Sequence, residues 1–122
     1  MNTESLLKRY YASLKSPEAL EELLTEDFRF IGGDMTKPEA LVGRDAYLAV
    51  LKRLSGLFSQ VKLEQVFVNG NHAAVVARYD WTFPKAGLVP GSVAEIWTIR
   101  NGRLQELKIF FDTMSFDRLT KG

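Results

Sequence analysis

The sequence contains no cysteine and a single histidine, His72, and these shortages exclude several kinds of functional site. Without thiols there can be no disulfide, no thiolate nucleophile and no zinc–thiolate centre. One imidazole cannot build the metal sites that need several histidines, and scattered carboxylates are a poor substitute. His72 lies beside a turn, which gives no basis for a Ser–His–Asp triad. We therefore expect neither a metal nor a cofactor.

Neither sign of charge is in excess, since 16 lysine and arginine residues face 15 aspartate and glutamate residues. This balance argues against nucleic acid and against an anionic membrane surface as partners. No apolar run approaches the ~20 residues of a membrane-spanning helix, and the amino terminus lacks the apolar segment of a secretory signal. The stretches IGGD and GLVPG lack the spacing of a phosphate-binding loop. We expect a cytoplasmic protein with one domain over residues 1–122.

Three segments in the amino-terminal half have the periodicity of amphipathic helices. In residues 4–15, leucines and tyrosines recur at spacings of three and four. Ser16 followed by Pro17 is typical of a second helix start, with Ser16 as N-cap. A third apolar stripe runs from about residue 44 to 58. A short strand, DFRFIGG, separates the second helix from the third.

Beyond the third helix the period of the apolar residues changes from 3.6 to 2, which indicates strands. About four alternating segments follow one another, separated by turn sequences such as NGN and PKAGLVPG. Helices gathered on one side of an antiparallel sheet define the α+β class. We predict a cone in which about three amino-terminal helices pack on a curved, mostly antiparallel sheet.

The last hairpin, VAEIWTIRNGRLQELKIFFDT, places the carboxylate of Glu95 in phase with the apolar Trp97. A two-residue turn at Asn101–Gly102 would put Lys108 opposite Glu95 and drive charges into the core. A three-residue turn, RNG, shifts the register by one and collects the apolar side chains on one face, so we predict this turn. The side chains then predicted to share a face with Glu95 are Trp97, Gln105, Leu107, Ile109 and Phe111.

Two interpretations of an inward Glu95 remain open. Many buried carboxylates are satisfied by an arginine, a tyrosine hydroxyl or a helix terminus and have only a structural role. Alternatively the cone is incompletely filled, and Glu95 is the polar group of an otherwise apolar pocket. Tyr79 and Trp81, which face inward on the preceding strand, would line the same pocket, although aromatic side chains are equally common in filled cores.

Several strings, in this order along the chain, resemble the nuclear transport factor 2-like superfamily, in particular its SnoaL-like and ketosteroid-isomerase-like members. The strings are LLTEDFRFIGG, VGRDAYLAVLKRL and AEIWTIRNGRLQELKIFFD. The resemblance extends over nearly the whole chain, roughly residues 6–116, and implies the cone fold. It leaves the function open, because this fold hosts isomerases, cyclases, dehydratases, epoxide hydrolases and non-catalytic binding proteins.

The resemblance to ketosteroid isomerases implies catalytic roles for three residues. Their oxyanion donors are a tyrosine of the first helix and an acid of the penultimate strand, which correspond here to Tyr10 and Glu95. The position of their general-base aspartate corresponds to Gly32, and Asp34, two residues later, is the nearest candidate. The implied chemistry is proton transfer next to a carbonyl, with Tyr10 and protonated Glu95 as donors and Asp34 as base.

We therefore predict a SnoaL-like protein with an apolar pocket, acting as an isomerase, cyclase or dehydratase next to a carbonyl of a small apolar substrate. The alternatives are a small-ligand-binding module without catalysis and a structural dimer whose cone is filled. The partner is a small apolar molecule that bears a carbonyl or hydroxyl group. The residues predicted to line the pocket are Phe30, Tyr47, Tyr79, Trp81, Trp97, Leu107, Ile109 and Phe111.

The other face of the late strands is also apolar. It carries Ala94, Ile96 and Phe110 among charged residues. Members of the superfamily commonly pair through this sheet, so we expect a homodimer with an interface of standard size.

Overall fold

The structure is a computed structural model that describes residues 2–121. Helix α1 spans Thr3–Ala12 and helix α2 spans Arg44–Leu54, and α2 is followed by one short 3₁₀ turn, Ser55–Leu57. Both α-helices bury the tyrosine- and leucine-bearing face that their sequence periodicity predicts. No helix in the described range is long and apolar enough to cross a membrane.

The second predicted helix is present as a 3₁₀ helix, Pro17–Leu23, rather than an α-helix. Its buried residues are Pro17, Leu20 and Leu23, which are spaced three apart. A 3₁₀ helix has three residues per turn, so this spacing directs all three side chains into the core.

Six strands form one open sheet in the order β2-β1-β6-β5-β4-β3. The strands are β1 (Leu24–Ile31), β2 (Leu41–Val42), β3 (Phe58–Asn69), β4 (His72–Phe83), β5 (Gly87–Arg100) and β6 (Arg103–Phe110). Only the β1–β6 pairing is parallel. The predicted α+β cone with a mostly antiparallel sheet is confirmed, and the concave face of the sheet holds the core.

The last hairpin has the predicted face for Glu95 but not the predicted turn. Asn101 and Gly102 form a two-residue turn, with φ angles of 50° and 76° that suit a type I′ hairpin. Gln105 is then an extra residue on β6, because the register shifts by one between Thr98 and the next pair. This bulge places Ile109 opposite Glu95, and it keeps the charges outside as the three-residue turn was expected to do.

A third α-helix, α3 (Thr113–Lys121), ends the described chain and was not predicted. The Asp112 carboxylate accepts a hydrogen bond from the Ser115 N–H at 3.0 Å, as an N-cap residue does. No residue of α3 is buried. Its Phe116 ring packs against Trp81 with a centroid separation of 5.1 Å. The helix therefore lies across the open end of the cone rather than inside it.

Candidate functional site

Glu95 is buried inside the cone, with 1% of its surface exposed. The alternation of β5 turns its side chain onto the same face as Trp97. Its Oε1 atom accepts two hydrogen bonds of 3.0 Å, one from the Tyr11 hydroxyl of α1 and one from the Tyr79 hydroxyl of β4. The Tyr11 oxygen in turn accepts a hydrogen bond of 3.0 Å from Trp97 Nε1. Helix α1 and strand β4 therefore each donate one hydrogen bond to the same oxygen of the carboxyl group.

Burial raises the pKa of Glu95 from its ordinary value of 4.5 to about 7. The hydrogen bonds from Tyr11 and Tyr79 favour the charged form and lower the pKa, but they offset the loss of hydration only in part. Burial, with the nearby Glu95 charge, also raises the pKa of both tyrosines well above 10, so they remain donors at neutral pH. Near pH 7 the protonated and ionised forms of Glu95 are both populated.

A second pair of buried hydroxyls lies in the same interior. The Tyr10 and Tyr47 hydroxyl oxygens are 2.5 Å apart, within hydrogen-bond distance, and both side chains are buried. Tyr10, the oxyanion donor implied by the resemblance, therefore contacts Tyr47, whereas the hydrogen bond from α1 to Glu95 comes from Tyr11.

These groups surround a small chamber of about 50 Å³. Its polar lining consists of Tyr10, Tyr47, Tyr79 and Glu95. Its apolar lining consists of Leu14, Phe30, Val50, Leu51, Leu54, Phe58, Trp81, Leu107 and Ile109. Since a water molecule takes up about 30 Å³ in the liquid, the chamber has room for one water or for one small group of a larger ligand.

Around the chamber, one hydrogen-bond donor and one acceptor have no partner among residues 2–121. In the Tyr10–Tyr47 pair one hydroxyl donates to the other, and the proton of the accepting hydroxyl has no acceptor within residues 2–121. Both hydroxyl bonds to Glu95 end on Oε1, and within the same residues no hydrogen bond reaches Oε2. Buried polar groups are normally paired, so the chamber is suited to a molecule that completes both bonds.

A larger cavity of about 350 Å³ adjoins the chamber and is covered by α3. The two spaces share the walls Phe30, Val50, Leu54, Trp81 and Ile109. We call them the inner chamber and the outer cavity. The outer cavity is also lined by Gly32, Gly33, Asp34, Phe111, Thr113, Phe116, Asp117 and Thr120. Because the two spaces adjoin, a ligand with one end in the inner chamber would have its body in the outer cavity.

Asp34 lies in the outer cavity and not beside Glu95. Its Oδ1 accepts hydrogen bonds from the Thr36 hydroxyl at 2.7 Å and the Thr36 N–H at 2.9 Å. These bonds favour the carboxylate and lower the pKa of Asp34 below its ordinary value. A lower pKa makes Asp34 a weaker base than an ordinary aspartate.

Another depression, of about 550 Å³, lies between α1 and the 3₁₀ helix, away from Glu95. It is a surface groove in which Arg9 pairs with Glu22 and Arg44 pairs with Glu21. These ion pairs occupy much of its charge, and its size alone does not make it a functional site.

The structure brings most of the predicted site residues together around the two spaces. The inner chamber contains Tyr10, Phe30, Tyr47, Tyr79, Trp81, Glu95, Leu107 and Ile109. Asp34 and Phe111 line the outer cavity instead. Trp97 is fully buried behind the Tyr10 ring, with a centroid separation of 4.7 Å, and is not among the lining residues of either space.

Tyr11, which contacts Glu95, is the residue of the candidate site that the sequence did not single out. It occupies the buried face of α1 next to Tyr10, and the same helical spacing describes both. The adjacent Tyr10 and Tyr11 were the available indication, because both hydroxyls point into the core and either could contact a buried polar group such as Glu95. In the described part of the chain, no three His, Asp or Glu side chains converge as a metal site requires.

Comparisons with known proteins agree with this architecture. No protein of curated function matches the chain significantly. An NTF2-like protein of unknown function from Burkholderia pseudomallei shares 17% identity over 100% of this chain and 99% of its own, with a TM-score of 0.84. A protein from Jannaschia sp. CCS1, described as a SnoaL-like polyketide cyclase, shares 20% identity over 97% of this chain and 90% of its own, with a TM-score of 0.80.

A third structure has a ketosteroid isomerase-like fold, comes from Catenulispora acidiphila and was solved with trimethylamine. It shares 14% identity over 98% of this chain and 95% of its own, with a TM-score of 0.80. At these identities the three structures establish the fold alone. A family model for the SnoaL-like domain matches residues 7–107, which is most of the chain. The chain therefore belongs to the SnoaL-like domain family.

Proposed function

We propose that this protein catalyses proton transfer next to the carbonyl of a small, mostly apolar substrate, with Glu95 as the group that carries the proton. The observation that carries the proposal is the pair of unused hydrogen-bonding groups around the inner chamber. One is Glu95 Oε2, and the other is the free proton of the Tyr10–Tyr47 pair.

The protonation state of Glu95 decides what the inner chamber offers to a ligand oxygen. When Glu95 is protonated, its O–H and the free tyrosine proton are two donors, which suit a carbonyl or enolate oxygen. When Glu95 is ionised, it accepts a proton, and the chamber suits a hydroxyl. A pKa of about 7 keeps both forms accessible near neutral pH, which is the best condition for a group that gives and takes a proton.

The volumes divide the substrate into two parts. A chamber of about 50 Å³ can hold the carbonyl group with its α-carbon, which brings the α-proton to Glu95, whereas the outer cavity of about 350 Å³ can hold the rest of a small molecule. The shared aromatic and aliphatic wall, which includes Phe30 and Trp81, fits a substrate that is mainly apolar.

Glu95 is a better candidate base than Asp34 in this scheme. Asp34 faces the outer cavity, and its hydrogen bonds from Thr36 lower its pKa. We assign it contact with the body of the ligand and assign both directions of proton transfer to Glu95.

A binding protein without catalysis is the second candidate. The hydrogen bonds from Tyr11 and Tyr79 to Oε1 favour it, because they can serve only to join α1 to the sheet, with no role in catalysis. In that case the inner chamber would hold a water, and the outer cavity alone would bind the ligand.

The two candidates differ in whether the protein exchanges the α-protons of carbonyl compounds with solvent. We would incubate the protein in D₂O with a panel of small cyclic and aryl ketones and follow loss of the α-proton signals by NMR. Catalysis predicts faster exchange for at least one ketone with the wild type, and loss of that acceleration in Glu95→Gln. Glu39→Gln, which changes an exposed loop carboxylate, is the matched control and should exchange like the wild type. Equal exchange by wild type and Glu95→Gln across the panel would contradict catalysis.

A further inference from the structure

We infer that the outer cavity recognises a ligand that carries an ammonium group, tertiary or quaternary, beside its apolar body. The inference deepens the proposed function and rests on it in one respect, namely that the same ligand would extend its oxygen into the inner chamber. The binding preference itself depends only on the lining of the outer cavity.

Aromatic rings provide much of that lining. Phe30, Trp81, Phe111 and Phe116 all contribute to it. The Phe116 ring stands nearly perpendicular to Trp81, at 74° and 5.1 Å, and to Phe111, at 89° and 5.5 Å. Rings that meet at such angles form a corner rather than a stack, so a compact group can contact more than one of them. Trp81 is stacked on Tyr79 and on Phe83, so the faces available to a cation belong to the phenylalanine rings. Ring faces attract cations, and groups of aromatic rings are a recurrent way to bind quaternary ammonium groups.

The charged groups of the cavity have one sign. Two carboxylates, Asp34 and Asp117, line it, and no lysine, arginine or histidine of the described residues does. The hydrogen bonds from Thr36 and, to a smaller extent, the charge of Lys37 outside the cavity lower the pKa of Asp34, which is ionised at neutral pH. The two carboxylates come from different elements, Asp34 from the loop after β1 and Asp117 from α3. A bound cation would interact with both, whereas an anionic ligand would be repelled by both.

One existing contact competes with this use of Asp117. Lys121 Nζ lies 3.1 Å from Asp117 Oδ2 on the next turn of α3. Both side chains are more than half exposed, so the pair is weak and readily exchanged for a ligand cation. Removal of the Lys121 charge should therefore strengthen the binding of a cation in the cavity.

Two probes of the same shape test the charge preference directly. Choline and 3,3-dimethylbutan-1-ol differ by nitrogen in place of carbon, and each gives one NMR signal from nine equivalent methyl protons. We would titrate each with the protein and obtain Kd from the shift of this signal. The wild type should bind choline at least about threefold more tightly than the neutral alcohol, and the choline methyl signal should move upfield because it lies over ring faces.

Variants identify the residues responsible. Asp34→Asn and Asp117→Asn should each weaken choline without changing the neutral alcohol, and Lys121→Gln should tighten choline alone. Phe116→Leu, which keeps an apolar side chain but removes a ring, should reduce the upfield shift and the preference for choline. Asp45→Asn removes an exposed carboxylate of α2 outside the cavity and is the matched control. Equal or tighter binding of the neutral alcohol to the wild type overturns the inference, as does a choline affinity that neither Asp34→Asn nor Asp117→Asn weakens.

Glu95→Gln separates this inference from the proposed function. The variant should lose α-proton exchange and keep the preference for choline, because Glu95 does not line the outer cavity. A preference for the neutral alcohol together with intact exchange would overturn the ammonium inference alone. Absence of exchange together with an intact preference for choline would overturn catalysis alone.

Discussion

The hydroxyl of Tyr79 reaches Oε1 of Glu95 at 3.0 Å, although the backbone pairs Tyr79 with Gly91 and Glu95 with Val75. The two side chains belong to positions four residues apart along their paired strands, and they converge over the concave face. The carboxyl is thus held by neutral donors, and no ion pair within residues 2–121 involves it. An ionised Glu95 would carry an uncompensated buried charge, which has measurable consequences for stability.

The first prediction concerns the pH dependence of folding. Glu95 has a pKa of about 7 in the native protein and an ordinary value of 4.5 in the unfolded chain. Below pH 4.5 Glu95 is protonated in both the native and the unfolded state, so the free energy of unfolding has its highest value with respect to this group. As pH rises towards 7 the unfolded chain loses the proton first, so the free energy of unfolding falls, and it levels off above pH 7. The total loss is about 3 kcal/mol.

Glu95→Gln should abolish this loss, because the amide keeps the size and an acceptor oxygen for both tyrosines but cannot ionise. We expect the variant to be as stable as the wild type at pH 4 and more stable at pH 8. Urea denaturation at intervals from pH 4 to 8 measures both, with Glu39→Gln as the exposed control. Destabilisation of Glu95→Gln by more than ~2 kcal/mol at pH 8 would show that the carboxylate is ionised and structurally paired.

The second prediction concerns the two tyrosines that contact Glu95. Each hydroxyl stabilises the charged form, so Tyr11→Phe and Tyr79→Phe should each raise the pKa of Glu95 further. Tyr11→Phe should also destabilise the fold by about 1–3 kcal/mol more than Tyr79→Phe, because it leaves buried Trp97 Nε1 without its acceptor. Carboxyl ¹³C titration and denaturation curves check the two effects.

Tyr10→Phe is the control for that experiment. Its hydroxyl bonds to Tyr47 and not to Glu95, so it should shift the titration of Glu95 less than either of the other changes. A shift as large as that from Tyr79→Phe would mean that Tyr10, and not Tyr11, is the partner from α1.

The sequence predicted the fold and the inward position of Glu95 because both follow from periodicity. Alternation along β5 determines which side chains share a face, and any acceptable register must keep Lys108 outside. The hairpin reaches that register through a bulge at Gln105, and the alternation pattern does not distinguish this from a longer turn. Helix α3 was missed although Phe116 and Leu119 lie at helical spacing, because it is only nine residues long and follows the last strand directly.

The choice between Tyr10 and Tyr11 could not be made from the sequence. Both lie on the buried face of α1, one residue apart, and a rotation of the helix by a fraction of a turn exchanges their roles. The same limit applies to Trp97, which shares the strand face of Glu95 but is covered by the Tyr10 ring. Which of these inward side chains reach a cavity depends on how the helices sit on the sheet.

The third prediction concerns assembly. On the convex face of the sheet, Phe67, Ile96 and Phe110 are 62%, 38% and 54% exposed. They lie on β3, β5 and β6, and Ala74 of β4 connects Phe67 to Ile96 across the sheet. We predict a homodimer that buries this face, with a total interface of roughly 1,500 Å². Light scattering should give twice the chain mass of 13.8 kDa at micromolar concentration.

Ile96→Lys should reduce that mass to the monomer, because it places a charge at the centre of the interface. Met35→Lys alters a more exposed apolar residue in a loop off the sheet and should leave the dimer intact. A wild-type protein that scatters as a 13.8 kDa particle contradicts the prediction.

The fourth prediction is that metal chelators have no effect. One histidine and no cysteine cannot supply a ligand set of suitable softness and geometry. Melting temperature and α-proton exchange should be the same with and without EDTA. A reproducible rise in melting temperature at a low ratio of zinc, manganese or magnesium to protein would reveal a missed site.

The fifth prediction concerns the cover that α3 places over the outer cavity. Phe116 of α3 packs against Trp81 and Phe111 and covers the outer cavity. Because no residue of α3 is buried, we expect the loss of this ring to reduce the stability of the fold only slightly. Phe116→Ala should therefore leave the protein folded and expose Trp81 to solvent. The fluorescence of Trp81 should become more sensitive to quenching by acrylamide, while Trp97, with none of its surface exposed, remains protected.

Met114→Ala is the matched change on the same helix, since Met114 is 76% exposed, and it should leave quenching as in the wild type. If Phe116→Ala also quenches like the wild type, α3 does not control access to Trp81, and ligands must enter by another route. If quenching increases, the same variant should bind and release choline faster, because Phe116 then no longer closes the outer cavity above the probe.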